Sequence, residues 1–172
     1  MSGDPLLSIA PAEEFVAALT AAGQTVATAE SLTAGLVAAT IASVPGASNV
    51  LRGGVVVYGT DLKASLGGVP AAALAAEGAV SESTAAYLAA HIRTVTGADW
   101  GISLTGVAGP DPQEGHPAGT VFIGIASAAG ISVRLCSLIG DRWDIRSAAV
   151  SVCLSEVLTR LSSGLGNQTT VE

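Results

Sequence analysis

Apolar positions along this chain keep two rhythms, one of helices and one of strands, and the changes between them mark the elements. Phe15, Ala18, Leu19 and Ala22 recur at the spacing of one helix face. Pro11, Glu13 and Glu14 at the head of that run and Gly23 at its foot are start and stop signals, so a helix is predicted over 11–23. Residues 24–29 read as a short buried strand. Residues 31–43 read as a helix carrying Leu36, Val37 and Ile41, ended by Pro45 and Gly46. Val55, Val56, Val57 and Tyr58 form a second strand by β-branched content. Residues 60–66 have room for one or two helical turns. Ser81 caps a further helix that Gly97 stops, with Ala85, Leu88, Ile92 and Val95 as its stripe.

Residues 100–104 read as a strand and 105–119 as a loop rich in Gly and Pro. Residues 120–127 and 131–138 flank Ala128-Ala129-Gly130 as a hairpin. Asp141 caps a long last helix with Trp143, Val150, Leu154, Val157 and Leu161 turned inward. Residues 163–172 read as a flexible tail. This order predicts the α/β class: one three-layer α/β/α domain over 1–172, core about 8–162, with a mixed sheet, a late β-hairpin and a long C-terminal helix. Ligands of such sheets bind beyond the carboxyl ends of the strands. The segments at 29–35, 58–63, 105–119 and 140–146 are therefore where chemistry is sought.

Charge narrows the partner classes. Fourteen acidic residues against seven basic give a net charge of −7, which repels a phosphodiester backbone and argues against nucleic acid. A few local cations would still hold a small phosphorylated ligand. The 49% apolar and 12% charged content is the opposite of a disordered composition. Cys136 and Cys153 are too few for a disulfide framework or a four-thiolate zinc site, and are expected as buried apolar residues in a reducing compartment. The first residues lack a signal-peptide pattern, and the charge-free stretch 31–51 is broken by Pro45, Gly46, Ser48 and Asn49. A cytoplasmic location without a membrane partner is expected.

Four stretches could carry chemistry. Ser31 falls where a buried strand turns into a helix. There it is either an N-cap or a nucleophile served by nearby amides; Thr33 and Gly35 either touch a ligand or, for Gly35, allow close helix–sheet packing. Lys63 follows Tyr58 by five residues. It is the only lysine, the other six basic residues being arginine. An amine can lose its proton near neutrality and a guanidinium cannot, so Lys63 is either an ordinary surface cation or a desolvated base. The 105–119 loop, with Gly106 and Gly109, lets backbone amides approach a ligand. Arg142 and Arg146 lie one turn apart at a helix N-terminus, where a bound phosphate or neighbouring carboxylates would compensate them. His91 and His116 have no metal-ligand spacing.

Ala29-Glu30-Ser31-Leu32-Thr33-Ala34-Gly35, Tyr58-x-x-x-x-Lys63, Gly78-Ala79-Val80-Ser81, Thr105-Gly106-Val107-Ala108-Gly109-Pro110-Asp111, Gly119-Thr120-Val121 and Gly140-Asp141-Arg142 occur in that order. Together they resemble the competence/damage-inducible protein A (CinA) C-terminal domain family, over about residues 8–162. The resemblance implies nicotinamide-nucleotide amidase activity (NMN deamidase of the PncC type) by a serine–lysine mechanism. Ser31, Lys63 and Tyr58 match its reactive residues. It implies nucleotide binding by the Gly-rich loop and the Gly-Asp-Arg segment. The binding candidates are thus Glu30, Thr33, Gly35 and Thr60 near the serine and lysine, Thr105, Gly106 and Gly109 in the loop, and Arg142 and Arg146. It further implies a stand-alone form, no metal or other cofactor, and a homo-oligomer.

Four residues depart from the family pattern. Leu32 stands in place of Cys, Ala34 of Gly, and Gly59 and Thr60 of Ser-Asn. Ala34 is expected to place a methyl where backbone approaches the ligand. A catalytically silent nucleotide-binding paralogue and an interaction module are the competing readings.

Overall fold

The computed structural model describes residues 4–166. In chain order its main elements are α1 (Ala12–Ala22), β1 (Val26–Glu30), α2 (Leu36–Ala42), β2 (Leu51–Val56), α3 (Thr60–Ser65), α4 (Ala71–Glu77), α5 (Glu82–Thr96), β3 (Trp100–Gly106), β4 (Thr120–Ser127), β5 (Gly130–Ser137) and α6 (Arg142–Gly166). The strands form one mixed sheet in the order β2-β1-β3-β4-β5. β1 is parallel to β2 and β3, and the β4–β5 hairpin adds antiparallel to β3.

Strand alternation explains the layers. Val26, Ile102, Leu104 and Ile123 point to one face and pack with Phe15 and Leu19 of α1, Val37 and Ile41 of α2, and Leu154 and Val157 of α6. Ala27 and Ala29 point to the other face, against Val57, Val69 and Leu88 and Ile92 of α5. Small residues set how closely α5 lies on the sheet: a Cβ at Gly101 would stand 2.1 Å from the Ala89 carbonyl oxygen. Ser103 closes the same gap by donating to the Ala85 carbonyl at 2.6 Å. The three-layer α/β/α expectation therefore holds, with helices on both faces.

Local chemistry fixes several boundaries as predicted. Ser81 Oγ accepts from the Thr84 N–H, and Gly97 ends α5 with φ +63°. Asp141 Oδ1 accepts from the N–H groups of Trp143 and Asp144 at the head of α6. The hairpin turns through Ala128 and Ala129. Cys136 and Cys153 are buried and free, and burial pushes both thiols up. Among the described residues no helix is long and apolar enough to cross a membrane.

Other expectations need correction. α2 begins at Leu36, five residues after Ser31, because residues 32–35 form turns with Ala34 and Gly35 at positive φ. β2 begins at Leu51, four residues before the predicted strand and through two glycines. A Cβ at Gly54 would lie 2.2 Å from Thr28 Oγ1 on β1, so packing demands the glycine there. Val95 and Trp143 are half exposed or more. The buried stripe of α6 starts at Ile145 and Ala149 in place of Trp143 and continues through Val150, Leu154, Val157 and Leu161 as expected. α4 was not predicted as an element. It buries none of its residues, so no apolar stripe announces it. α6 runs on to Gly166, and the remaining six residues of the expected tail lie outside the described residues.

Candidate active site

The parallel register carries Ser31 and Lys63 to one place. β1 and β2 end side by side, Glu30 opposite Val56, and the ladder continues one step as the Val57 N–H donates to the Glu30 carbonyl at 2.8 Å. Ser31 is the next residue on β1, its N–H donating to the Leu104 carbonyl of β3 at 2.9 Å. The chain after β2 turns through Tyr58 and Gly59 into α3, whose fourth residue is Lys63. The two side chains, 32 residues apart in sequence, meet with Lys63 Nζ 3.1 Å from Ser31 Oγ.

Lys63 is buried, 2% exposed, and Ser31 is 8% exposed. Nζ also donates to the carbonyls of Val57 at 2.9 Å and Tyr58 at 3.4 Å. Burial lowers the amine's pKa from its usual value, against smaller opposing effects of Glu114 and Asp61. A neutral amine has two N–H donors and one lone pair. In that form the two carbonyls take both donors and the lone pair faces the Ser31 hydroxyl proton, whereas the ammonium form donates to Ser31 Oγ as well.

Neither Glu30 nor Arg146 lines the cleft, and backbone partners hold both. The Glu30 carboxylate, 1% exposed, accepts from the N–H groups of Gly35 and Val37 at 3.0 Å and Ala38 at 2.9 Å, and from Thr28 Oγ1 at 3.2 Å. It therefore takes the free amides at the start of α2, the ones expected to hold an oxyanion. Arg146 donates to the carbonyls of Leu32 at 3.0 Å and Thr33 at 2.9 Å. Those two carbonyls are its partners, and no carboxylate pairs with it among the described residues. Thr33 is fully buried and Gly35 and Thr60 stand away from the cleft, so none of the three lines it. Ala34, outside the cleft too, is exposed, which corrects the expected methyl against the ligand.

The cleft over the pair has a volume of about 110 Å³. Thr105, Gly106, Val107, Ala108 and Gly109, with Asp111 and Gln113 of the same loop, form one wall, Tyr58 and Arg142 another, and Ala79 and Val80 a third. Of the predicted site, Ser31, Lys63, Tyr58, Thr105, Gly106, Gly109 and Arg142 meet here. The Thr105 hydroxyl is occupied by the Ala79 carbonyl at 2.6 Å. Arg142 donates to the Gly109 carbonyl at 2.8 Å and to the Tyr58 hydroxyl. The Tyr58 hydroxyl thus faces Arg142 while only its backbone carbonyl faces Lys63, so a proton relay through Tyr58 has no support in this geometry. Leu32, Ala108 and Gly109 line the cleft, and their N–H groups meet no acceptor among the described residues. Asp111 and Gln113 were missed as site residues. Asp111 closes a quoted motif and was legible to that extent, whereas nothing in the sequence singles out Gln113.

The family model described as the CinA C-terminal domain matches residues 9–161. The chain belongs to the CinA C-terminal domain family. A CinA-like protein of Frankia casuarinae is 50% identical over 143 residues, 83% of this chain and 33% of that protein. The chain therefore spans about a third of the length of this curated relative. A CinA superfamily protein from Klebsiella pneumoniae superimposes with TM-score 0.87 at 29% identity, over 93% of this chain and 99% of that one. The competence/damage inducible protein CihA from Agrobacterium tumefaciens does so with TM-score 0.84 at 32% identity, over 94% and 99%. The CinA fold is thus shared along the whole described domain.

Proposed function

We propose that the chain is an amidohydrolase that converts nicotinamide mononucleotide to nicotinic acid mononucleotide and ammonia. The observation that carries this reading is the buried amine 3.1 Å from a serine hydroxyl at the floor of a cleft, with its two N–H donors already held by carbonyls. Such a pair favours a nucleophilic alkoxide and gives a metal-independent route to acyl transfer.

In this mechanism Ser31 Oγ attacks the carboxamide carbon and Lys63 accepts its proton directly. The negative charge on the former carbonyl oxygen is met by the N–H groups of Leu32, Ala108 and Gly109, since Glu30 occupies those of α2. The C–N bond breaks as Lys63 returns the proton to nitrogen, and ammonia leaves. Water, deprotonated by Lys63, attacks the Ser31 ester. The carboxylate departs as Ser31 regains its proton. The exposed Arg142 guanidinium holds the phosphate, and the 106–109 loop lies along the ribosyl part while its Ala108 and Gly109 N–H groups serve the oxyanion.

The test is ammonia release from this nucleotide by the purified chain. Ser31→Ala and Lys63→Arg are each expected to lower kcat by about 10³-fold or more. Arginine keeps the charge and cannot act as a base. Full activity in Lys63→Arg removes the lysine from the mechanism, and equal release by wild type and Ser31→Ala ends the amidase reading.

A further inference from the structure

The loop after β3 carries a tight turn at its tip. Gln113 and His116 exchange both backbone hydrogen bonds, at 3.0 and 2.9 Å. The two residues between them, Glu114 and Gly115, have φ of +51° and +80°. Glycine adopts that conformation freely, whereas a glutamate there is strained. The interaction that offsets the strain lies across the cleft: Glu114 Oε2 accepts the Val80 N–H at 2.9 Å. Gly78 leaves room for the carboxylate, since a Cβ there would stand 2.5 Å from that oxygen. Val80 belongs to one wall of the cleft and Gln113, next to Glu114, to another. One hydrogen bond therefore ties two walls together.

We propose that Glu114 is a positioning residue of this site, a latch that holds the tip of the 107–119 loop against the 78–81 connection and keeps the cleft assembled over Ser31 and Lys63. The carboxylate also acts on the base through space. Tyr58 after β2, Asp111 on the loop and Arg142 on α6 line the cleft, and Asp61 on α3 and Glu114 on the loop act on Lys63 from beyond its lining. Among these, Glu114 raises the proton affinity of Lys63 most, ahead of Asp61 and against the larger effect of burial. Opening the latch removes that negative charge from the amine. Closure of the wall and proton affinity of the base are thereby linked through one side chain. The kinetic consequence rests on the serine–lysine reading; the latch itself does not.

Two measurements without substrate test it. Lys63 is the only lysine in the chain, so lysine labelled with a stable isotope gives one side-chain NMR signal to titrate. Glu114→Gln removes the charge and retains an oxygen acceptor for Val80. It is expected to lower the Lys63 titration midpoint by more than Asp61→Asn does, with Val80 amide exchange within about threefold of wild type. Glu114→Ala also removes the acceptor, and Val80 exchange should quicken roughly tenfold. With the nucleotide as substrate, Glu114→Ala should raise KM several-fold, whereas Glu114→Gln should move the acid limb of kcat/KM to lower pH with KM little changed. Unchanged Val80 exchange in Glu114→Ala, or a Lys63 midpoint that moves less in Glu114→Gln than in Asp61→Asn, overturns the latch. If wild type releases no ammonia, the amidase reading fails, and the exchange and titration still decide the latch.

Discussion

Two turns leave the carboxyl ends of the neighbouring parallel strands β1 and β3, and they are held in opposite ways. After β1, residues 31–35 are framed from inside. The buried Glu30 carboxylate gathers three N–H groups and a hydroxyl, and Arg146 grips two carbonyls from the far side. After β3, residues 107–119 are held from outside, where the exposed side chains of Glu114 and Arg142 each reach across the cleft. Charge-assisted bonds away from water hold geometry firmly, and exposed ones are weakened by solvent and salt. Ser31, the proposed nucleophile, thus sits on the framed turn, and the wall proposed to meet the ligand sits on the adjustable one.

Breaking the frame should have the largest effect on stability. Glu30→Ala leaves three N–H groups near the head of α2 without their acceptor, at a cost of about 3–4 kcal/mol. Thermal unfolding should show Tm lower by roughly 10 °C. A fall of less than about 3 °C would mean that residues 31–35 hold themselves and that the contrast between the turns is superficial.

The outer turn should respond in binding instead of folding. Arg142→Ala removes an exposed guanidinium that, among the described residues, bonds only to the Gly109 carbonyl and the Tyr58 hydroxyl. KM for the nucleotide should rise roughly ten- to hundredfold, with Tm within about 2 °C of wild type. A large loss of Tm with little change in KM would reverse the roles assigned to the two turns.

Lys63 lies between the two turns and makes them report on pH together. Its pKa is lowered by burial from its ordinary value of about 10.4 in an unfolded chain. Between the lowered value and the ordinary one the unfolded chain binds more protons, so stability rises with pH across that window. Below it the buried ammonium weakens the fold in full. Wild type should therefore gain Tm relative to Lys63→Met as pH rises towards 10, and kcat/KM should climb on its acid limb as the amine loses its proton. A stability difference that is flat in pH would show that Lys63 titrates alike in both states.

The contrast also separates what was legible in the sequence from what was not. Ser81 with Gly97, and Asp141 before α6, act on amides within their own turn, so local sequence reveals them. The meeting of Ser31 with Lys63 depends on β1 and β2 being parallel neighbours, and no spacing along the chain encodes that. Composition nevertheless pointed to the lysine, because it is the one cation able to lose a proton. The backbone partners of Glu30 and Arg146 were not legible, because a charged residue beside a candidate nucleophile looks the same whether it meets ligand or backbone. Only the fold shows that their partners are amides and carbonyls. Trp143 and Val95 fit the helical spacing of their neighbours, and only the fold shows them to be exposed.

The finest test concerns Ala34, at the outer corner of the framed turn. Its φ is +51° and that of Gly35 is +93°. An L residue in the left-handed region costs about 1–2 kcal/mol, which glycine avoids. Glycine also gives the unfolded chain more freedom, which removes part of that gain. Ala34→Gly should therefore stabilise the protein by about 0.5–1 kcal/mol, raising Tm by roughly 2–3 °C. Catalysis should stay within about twofold, the scatter expected of a surface change away from the reacting groups, because Glu30 and Arg146 position Ser31 without help from the Ala34 methyl. A tenfold change in kcat would mean that the serine follows the conformation of residue 34, and the turn after β1 would then be as adjustable as the one after β3.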